Sequence, residues 1–329
     1  MQQPNHLAFL FPGQGSQSVG MLSELAAMHP EIEQTFAEAS AGAGVDLWAL
    51  ASDGPAEALN RTENTQPALL AADVGVWRVW CKLGGAKPAC MAGHSLGEYA
   101  ALVCAGALPL ADAAGLVAER GRLMQAAVPA GAGAMAAVIG ADDEEIAAVC
   151  EEVAGGEVVA PANYNAPGQL VIAGQAAAVD RALAALADRG VRKVVKLEVS
   201  VPSHCALMRD AATQLAERMD GLAWRAPEIP VFQNADAEAH SGVPYIRAAL
   251  ARQLYMPVRW TDSIRAMARA GTTRMAECGP GKVLTGLLRR IDRGIDARAL
   301  GTPEALDAAL AAWAADSGAI SSPASGSTP

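Results

Sequence analysis

Ser95 stands between Gly93 and Gly97 in the pattern G-x-S-x-G, which isolates one hydroxyl between two residues without side chains. Small apolar residues before it, from Ala89 to Ala92, predict a buried strand, and the run Tyr99 to Ala105 predicts a packed helix. The serine then falls on a sharp strand-to-helix turn, where the glycines leave room for a strained backbone and a closely approaching substrate. A helix beginning there directs unpaired N–H groups and the positive end of its dipole toward the hydroxyl, which favours an oxyanion beside Ser95. This is a geometry for acyl transfer through a serine ester. The plain alternative for five residues of pattern is a Gly/Ser turn without chemistry.

A nucleophilic serine needs a base and a reason to select its substrate. Of the five histidines, His204 lies at the end of an element bordering the expected cleft, where a base can meet a serine. A histidine near a helix N-terminus with no such role is the alternative. Arg120 falls among Val117, Gly121 and Met124 on the inward stripe of a helix expected over residues 110–128. A guanidinium on an apolar face requires a carboxylate, either an internal Asp or Glu or one brought by the substrate and bound bidentately. Gly13 and Gly15, after a strand at residues 7–11, resemble part of a dinucleotide fingerprint, but Ser18 stands where a third glycine belongs. The competing reading is that they let a backbone N–H, most simply that of Gln14, approach a reacting carbonyl.

These residues need a scaffold. Ile32, Phe36 and Ala39 recur at helical spacing, and residues 67–80 predict a helix long enough to cross a sheet. After a composition shift at residues 129–133 the pattern becomes β-α-β-β-α-β, with strands expected at 134–139, 158–163, 170–173 and 193–199. Helices are expected at 142–153, opened by an Asp142/Glu145 capping box, and at 175–189, and a turn at 165–168. That order is the ferredoxin-like split unit, a small domain inserted in a larger one. The boundaries expected are 1–130 and 201–316 for the two parts of the large domain, 131–200 for the insert, and 317–329 for a Ser/Pro/Gly tail read as disordered. Strands at 230–234 and 273–277 and helices at 248–254, 263–270 and from Lys282 complete the reading.

The chain of 329 residues is 52% apolar and 18% charged, with a formal charge of −10 and no extended Lys/Arg run. It is therefore read as a globular protein without the footprint of a nucleic-acid or membrane binder. Six scattered cysteines, with no C-x-x-C pair, read as buried thiols, and without a signal-peptide pattern the expected location is the cytoplasm.

The motifs FPGQGSQ (residues 11–17), GHSLGEY (93–99), ERG (119–121), GAMA (133–136), VPSH (201–204) and RQLY (252–255) together resemble the malonyl-CoA:acyl carrier protein transacylase family of bacterial fatty acid synthesis. The resemblance runs from about residue 7 to about residue 310. It implies an α/β fold, a large α/β-hydrolase-like domain interrupted by a ferredoxin-like one, with the active site between them. In that family's terms Ser95 is the nucleophile, His204 the base and Arg120 the binder of the malonyl carboxylate. The backbone N–H groups of Gln14 and Leu96 form the oxyanion hole, and the Gln253 carbonyl orients the histidine in place of an acidic third member. It also implies malonyl-CoA as donor, acyl carrier protein as partner, no cofactor or metal, and a monomer. A trans-acting acyltransferase of polyketide assembly and a serine acyl hydrolase are the rival readings. Arg189, Arg192, Lys193 and Lys196, with Lys282, Arg289 and Arg290, are either a docking surface for an acidic carrier or a solvated charged face.

Overall fold

The computed structural model describes residues 6–197 and 201–314. Its strands, in chain order, are β1 (Leu7–Phe11), β2 (Cys90–Gly93), β3 (Gly133–Ile139), β4 (Val159–Ala166), β5 (Gln169–Gln175), β6 (Lys193–Lys196), β7 (Val231–Phe232), β8 (Arg274–Glu277) and β9 (Asp296–Ala299). They form two sheets: a parallel one in the order β7-β2-β1-β8-β9 and an antiparallel one in the order β4-β5-β3-β6.

The parallel sheet is covered on both faces, which is why β1 and β2 are apolar throughout. Side chains alternate across the strand, so Phe9 and Phe11 enter the core beneath the Thr62–Lys82 and Leu110–Ala127 helices. Ala8 and Leu10 face the opposite core, under the Trp260–Arg269 and Val283–Ile291 helices. Phe9 meets Trp77 and Trp80 edge-on at 5.1 and 5.3 Å, so three rings pack together where the longest helix crosses the sheet.

In the antiparallel sheet, Ala134, Ala136 and Val138 of β3 pack under the Asp143–Val153 and Ala176–Asp188 helices. Met135, one residue out of phase, turns to the other face and packs with Ala162, Val171, Ala173 and Cys205. The two sheets are joined through β4, where Tyr164 N donates to Val258 O at 2.9 Å and Val258 N to Ala162 O at 2.8 Å.

Several elements differ from their sequence reading. β4 runs on to Ala166, leaving Pro167 and Gly168 as the turn, with Gly168 at φ +69°. The capping box does not form: Asp142 is the N-cap but its side chain caps nothing. Four consecutive carboxylates, Asp142 to Glu145, repel one another there while already complementing the helix dipole. β7 stops after two residues because the chain turns at once, Ala237 N donating to Gln233 O. β9 carries no signal in the sequence, since its Asp-Ala-Arg-Ala stretch has no apolar alternation and it sits at the edge of the sheet. The Val243–Gln253 helix starts five residues earlier than expected, with a proline in its first turn. The last residues of the strand expected at 193–199 and the tail at 317–329 lie outside the described residues.

Candidate active site

β1 and β2 are parallel neighbours in register from Ala8–Cys90 to Phe11–Gly93, so their following loops leave side by side. That is the carboxyl edge of the sheet, where open α/β folds place their ligands. Ser95 sits in the loop after β2 at φ +52°, a strained conformation for a residue with a side chain. The glycines make the turn possible. A Cβ on Gly97 would collide with the Phe11 carbonyl, and one on Gly93 with the backbone of Gly97. Gly13 likewise faces the His94 carbonyl so closely that a Cβ would collide, which accounts for that glycine by loop packing rather than by nucleotide approach.

The helix after the turn spans Gly97–Cys104 with Leu96 as its N-cap. The Leu96 and Gln14 N–H groups have no acceptor among the described residues, and both residues line the cavity at Ser95. They are free to receive an oxyanion.

Ser95 Oγ lies 2.8 Å from His204 Nε2, although the two are 109 positions apart. His204 Nδ1 donates to the Gln253 carbonyl at 2.7 Å, and His204 N donates to Leu254 O at 2.9 Å. A carbonyl can only accept, so Nδ1 carries the proton and the Nε2 lone pair faces the serine hydroxyl. Gln253 ends the Val243–Gln253 helix, and its carbonyl is one of those a helix leaves without an internal partner. Burial first and the neighbouring Arg120 charge second push the His204 imidazolium down to about 3, while the Gln253 carbonyl opposes this. At neutral pH the imidazole is the free base.

Arg120 is 1% exposed and reaches the same point from the Leu110–Ala127 helix. Its Nη1 donates to Gln66 Oε1 at 2.7 Å, and Nη2 to Gln253 Oε1 at 3.0 Å and to Ser95 Oγ at 3.3 Å. None of these partners is a carboxylate, so the internal salt bridge that sequence allowed is absent among the described residues. The guanidinium, histidine and serine converge on a cavity of about 130 Å³ that Met124, Met135 and Val201 also line.

The chain matches the acyl transferase domain model over residues 8–302. It belongs to the acyl transferase family. It is 57% identical over 303 residues to the malonyl CoA-acyl carrier protein transacylases of Salmonella typhimurium and Escherichia coli, covering 92% of this chain and 98% of each relative. Among solved structures it superposes with TM-score 0.94 on malonyl-CoA:acyl carrier protein transacylase from Xanthomonas oryzae, at 64% identity, covering 95% of this chain and 99% of that one. It also superposes with TM-score 0.92 and 51% identity on a malonyl-transacylase in complex with a type II polyketide acyl-carrier protein, covering 93% and 99%.

Behind Ser95 lies a network that sequence reading missed. Asn234 Oδ1 accepts from Ser95 N at 2.7 Å while its Nδ2 donates to Gly93 O at 2.7 Å, fixing both ends of the turn. Glu98 Oε2 accepts from Asn234 N at 2.8 Å and from Gln253 Nε2 at 2.9 Å. Gln253 Nε2 also donates to Ser95 O at 2.9 Å, so one glutamine touches the Ser95 backbone, the arginine and the histidine. Asn234 gives no signal beyond ending a short strand. Gln66, a carboxamide inside the buried run Thr65 to Val76, was detectable as a polar residue on an apolar face.

Among the described residues no group of three or more His, Cys, Asp or Glu could hold a metal ion, and no helix is long and apolar enough to cross a membrane. All six cysteines are free; Cys90, Cys150, Cys205 and Cys278 are buried as expected, but Cys81 is exposed and Cys104 only partly covered.

Proposed function

We propose that this acyl transferase moves the malonyl group from malonyl-CoA to the phosphopantetheine thiol of acyl carrier protein, through a malonyl ester on Ser95. The observation that carries the reading is a buried guanidinium, touching the nucleophile, whose partners are all neutral. His204 Nε2 takes the Ser95 proton as Oγ attacks the thioester carbonyl. The Gln14 and Leu96 N–H groups hold the oxyanion, and CoA departs as the thiol with the proton from His204. The carrier thiol then gives its proton to His204, attacks the ester and regenerates the Ser95 hydroxyl. Arg120 pairs with the malonyl carboxylate throughout, and an acetyl group would leave it unpaired, which disfavours that substrate. Thioester and ester lie close in energy, and each step is a proton or acyl transfer among these groups, so the scheme calls for no cofactor or metal.

The same reading takes the parallel-sheet part, residues 1–130 and 201–316, as an α/β-hydrolase-like domain. It takes residues 131–200 as a ferredoxin-like insert, which the order β4-β5-β3-β6 supports. We infer a cytoplasmic monomer. Fatty acid synthesis is the proposed setting; the similarity to the polyketide malonyl-transacylase supports a polyketide carrier as the second reading. For carrier docking, Arg192, Lys193, Lys282 and Arg289 are exposed, whereas Arg189 pairs with Glu152, Lys196 with Asp180, and Arg290 donates to Gln169. The first four are therefore the proposed contacts. Charge reversal at these positions should raise the apparent KM for carrier protein and leave that for malonyl-CoA unchanged.

Intact-mass analysis after mixing with malonyl-CoA should show one malonyl adduct, lost in Ser95→Ala, that discharges on adding holo-carrier protein. Steady release of free malonate without carrier would favour a hydrolase instead, and no adduct at all would remove the serine from its role.

A further inference from the structure

The Arg120 guanidinium is held by two carboxamide oxygens, one from Gln66 and one from Gln253. Gln66 is 1% exposed, and its amide orientation is fixed from both ends: Nε2 faces the Met124 thioether at 3.6 Å, so Oε1 faces Arg120. Sulfur there can only accept, which excludes the flipped amide. Gln253 is fixed in the same way, its Nε2 held by Glu98 and the Ser95 carbonyl. The clamp thus orients the guanidinium with dipoles and puts no carboxylate in contact with it, the buried Glu98 acting on it only from behind Gln253.

We propose that Gln66 is a specificity-determining residue, whose neutral oxygen positions Arg120 and keeps its full charge for an acyl group that carries a carboxylate. This rests on the reading of Arg120 as the carboxylate binder. A glutamate at position 66 has the same length and would present one oxygen to Nη1, forming a buried ion pair inside the enzyme. The incoming malonyl carboxylate would then meet a neutralised guanidinium and a like charge, whereas an acetyl group would meet neither penalty. Position 66 accordingly sets the preference between charged and uncharged short acyl groups, although its side chain need not touch the substrate.

The test compares Gln66→Glu, Gln66→Met and Arg120→Ala with the unaltered enzyme, with malonyl-CoA and acetyl-CoA competing for transfer to holo-carrier protein and the melting temperature of each variant recorded. In Gln66→Glu the malonyl-over-acetyl preference should fall at least about tenfold while kcat/KM for acetyl-CoA is retained. Gln66→Met removes the oxygen without adding charge, so the malonyl KM should rise and the preference should fall less. An unchanged preference in Gln66→Glu alongside a collapse in Arg120→Ala overturns the role of Gln66. An unchanged preference in both overturns the reading of Arg120, and the proposal with it. Should Gln66→Glu not fold, an unaltered malonyl KM in Gln66→Met overturns the proposal by itself.

Discussion

Glu98 is a buried acid that bonds Asn234 and Gln253 behind Ser95, and its titration separates what it contributes from what His204 contributes. Burial raises its carboxyl from the ordinary 4.5 to about 7, against the hydrogen bonds from Asn234 and Gln253. A shift of that size is roughly 3 kcal/mol against the ionised form. Because the folded value exceeds the unfolded one, the stabilising contribution is fully present below pH 4.5 and is lost as pH rises through about 7. Both donors converge on Oε2, so a glutamine can accept them with its carbonyl. Glu98→Gln should therefore melt higher than the unaltered protein at pH 8, with the difference closing as pH falls toward 4.5; equal melting temperatures at pH 8 would contradict the raised carboxyl. In that variant the neighbouring acid no longer titrates, and His204 can be read alone. With its imidazolium pushed down to about 3, kcat/KM for malonyl-CoA should stay flat from pH 8 to pH 5, whereas an exposed imidazole would impose a limb near 6.5. Ser95, Arg120 and His204 are legible in the sequence because each conflicts with its surroundings: a hydroxyl on a glycine turn, a charge on an apolar stripe, an imidazole at a junction. Glu98 and Asn234 look like ordinary surface residues, and only the folded chain brings them together behind the turn.

At the scale of elements, the position of Arg120 is set by how closely two helices approach. Gly121, the next residue, lies so near the Thr62–Lys82 helix that a Cβ there would sit 2.6 Å from Glu63 Cα. The helices are in backbone contact at the level where Gln66 meets Arg120. Gly121→Ala must push them apart, which by the usual cost of overpacking is about 1–3 kcal/mol. The expected outcome is a folded protein with a lower melting temperature and malonyl transfer reduced more than acetyl transfer, since the separation falls on the Gln66–Arg120 bond. An equal loss for both donors would mean that the helix spacing does not act through the arginine. Such a glycine reads in the sequence as one more small residue on an inward stripe, because close approach depends on the partner helix. Elements with strong apolar periodicity, such as β1 and the 134–139 strand, are legible for the opposite reason. Their burial is written in their own residues, whereas β9 takes its place from pairing with β8.

The whole molecule lines the cavity from both sheets, so the cavity exists only while the two remain docked. His94, adjacent to Ser95, reaches Asn165 of β4 with Nε2 to Oδ1 at 2.8 Å. The chain around Val258 pairs with β4 a few residues away, and Thr261 Oγ1 donates to Tyr164 O at 3.0 Å. Met135 of β3 lines the cavity from the antiparallel side, against Ser95 and Leu96 from the parallel side. Asn165→Ala removes the one side-chain hydrogen bond, among the described residues, from the Ser95 turn to the second sheet and leaves a partly buried imidazole nitrogen without its partner, a loss of about 1–3 kcal/mol. If the two sheets act as one body through this contact, hydrogen exchange at the Tyr164 and Val258 amides should accelerate, and the KM for malonyl-CoA should rise with Ser95 still acylated. Loss of melting temperature without faster exchange at those amides would assign Asn165 to local packing, and the backbone pairing at Val258 would then hold the two walls of the cavity together unaided.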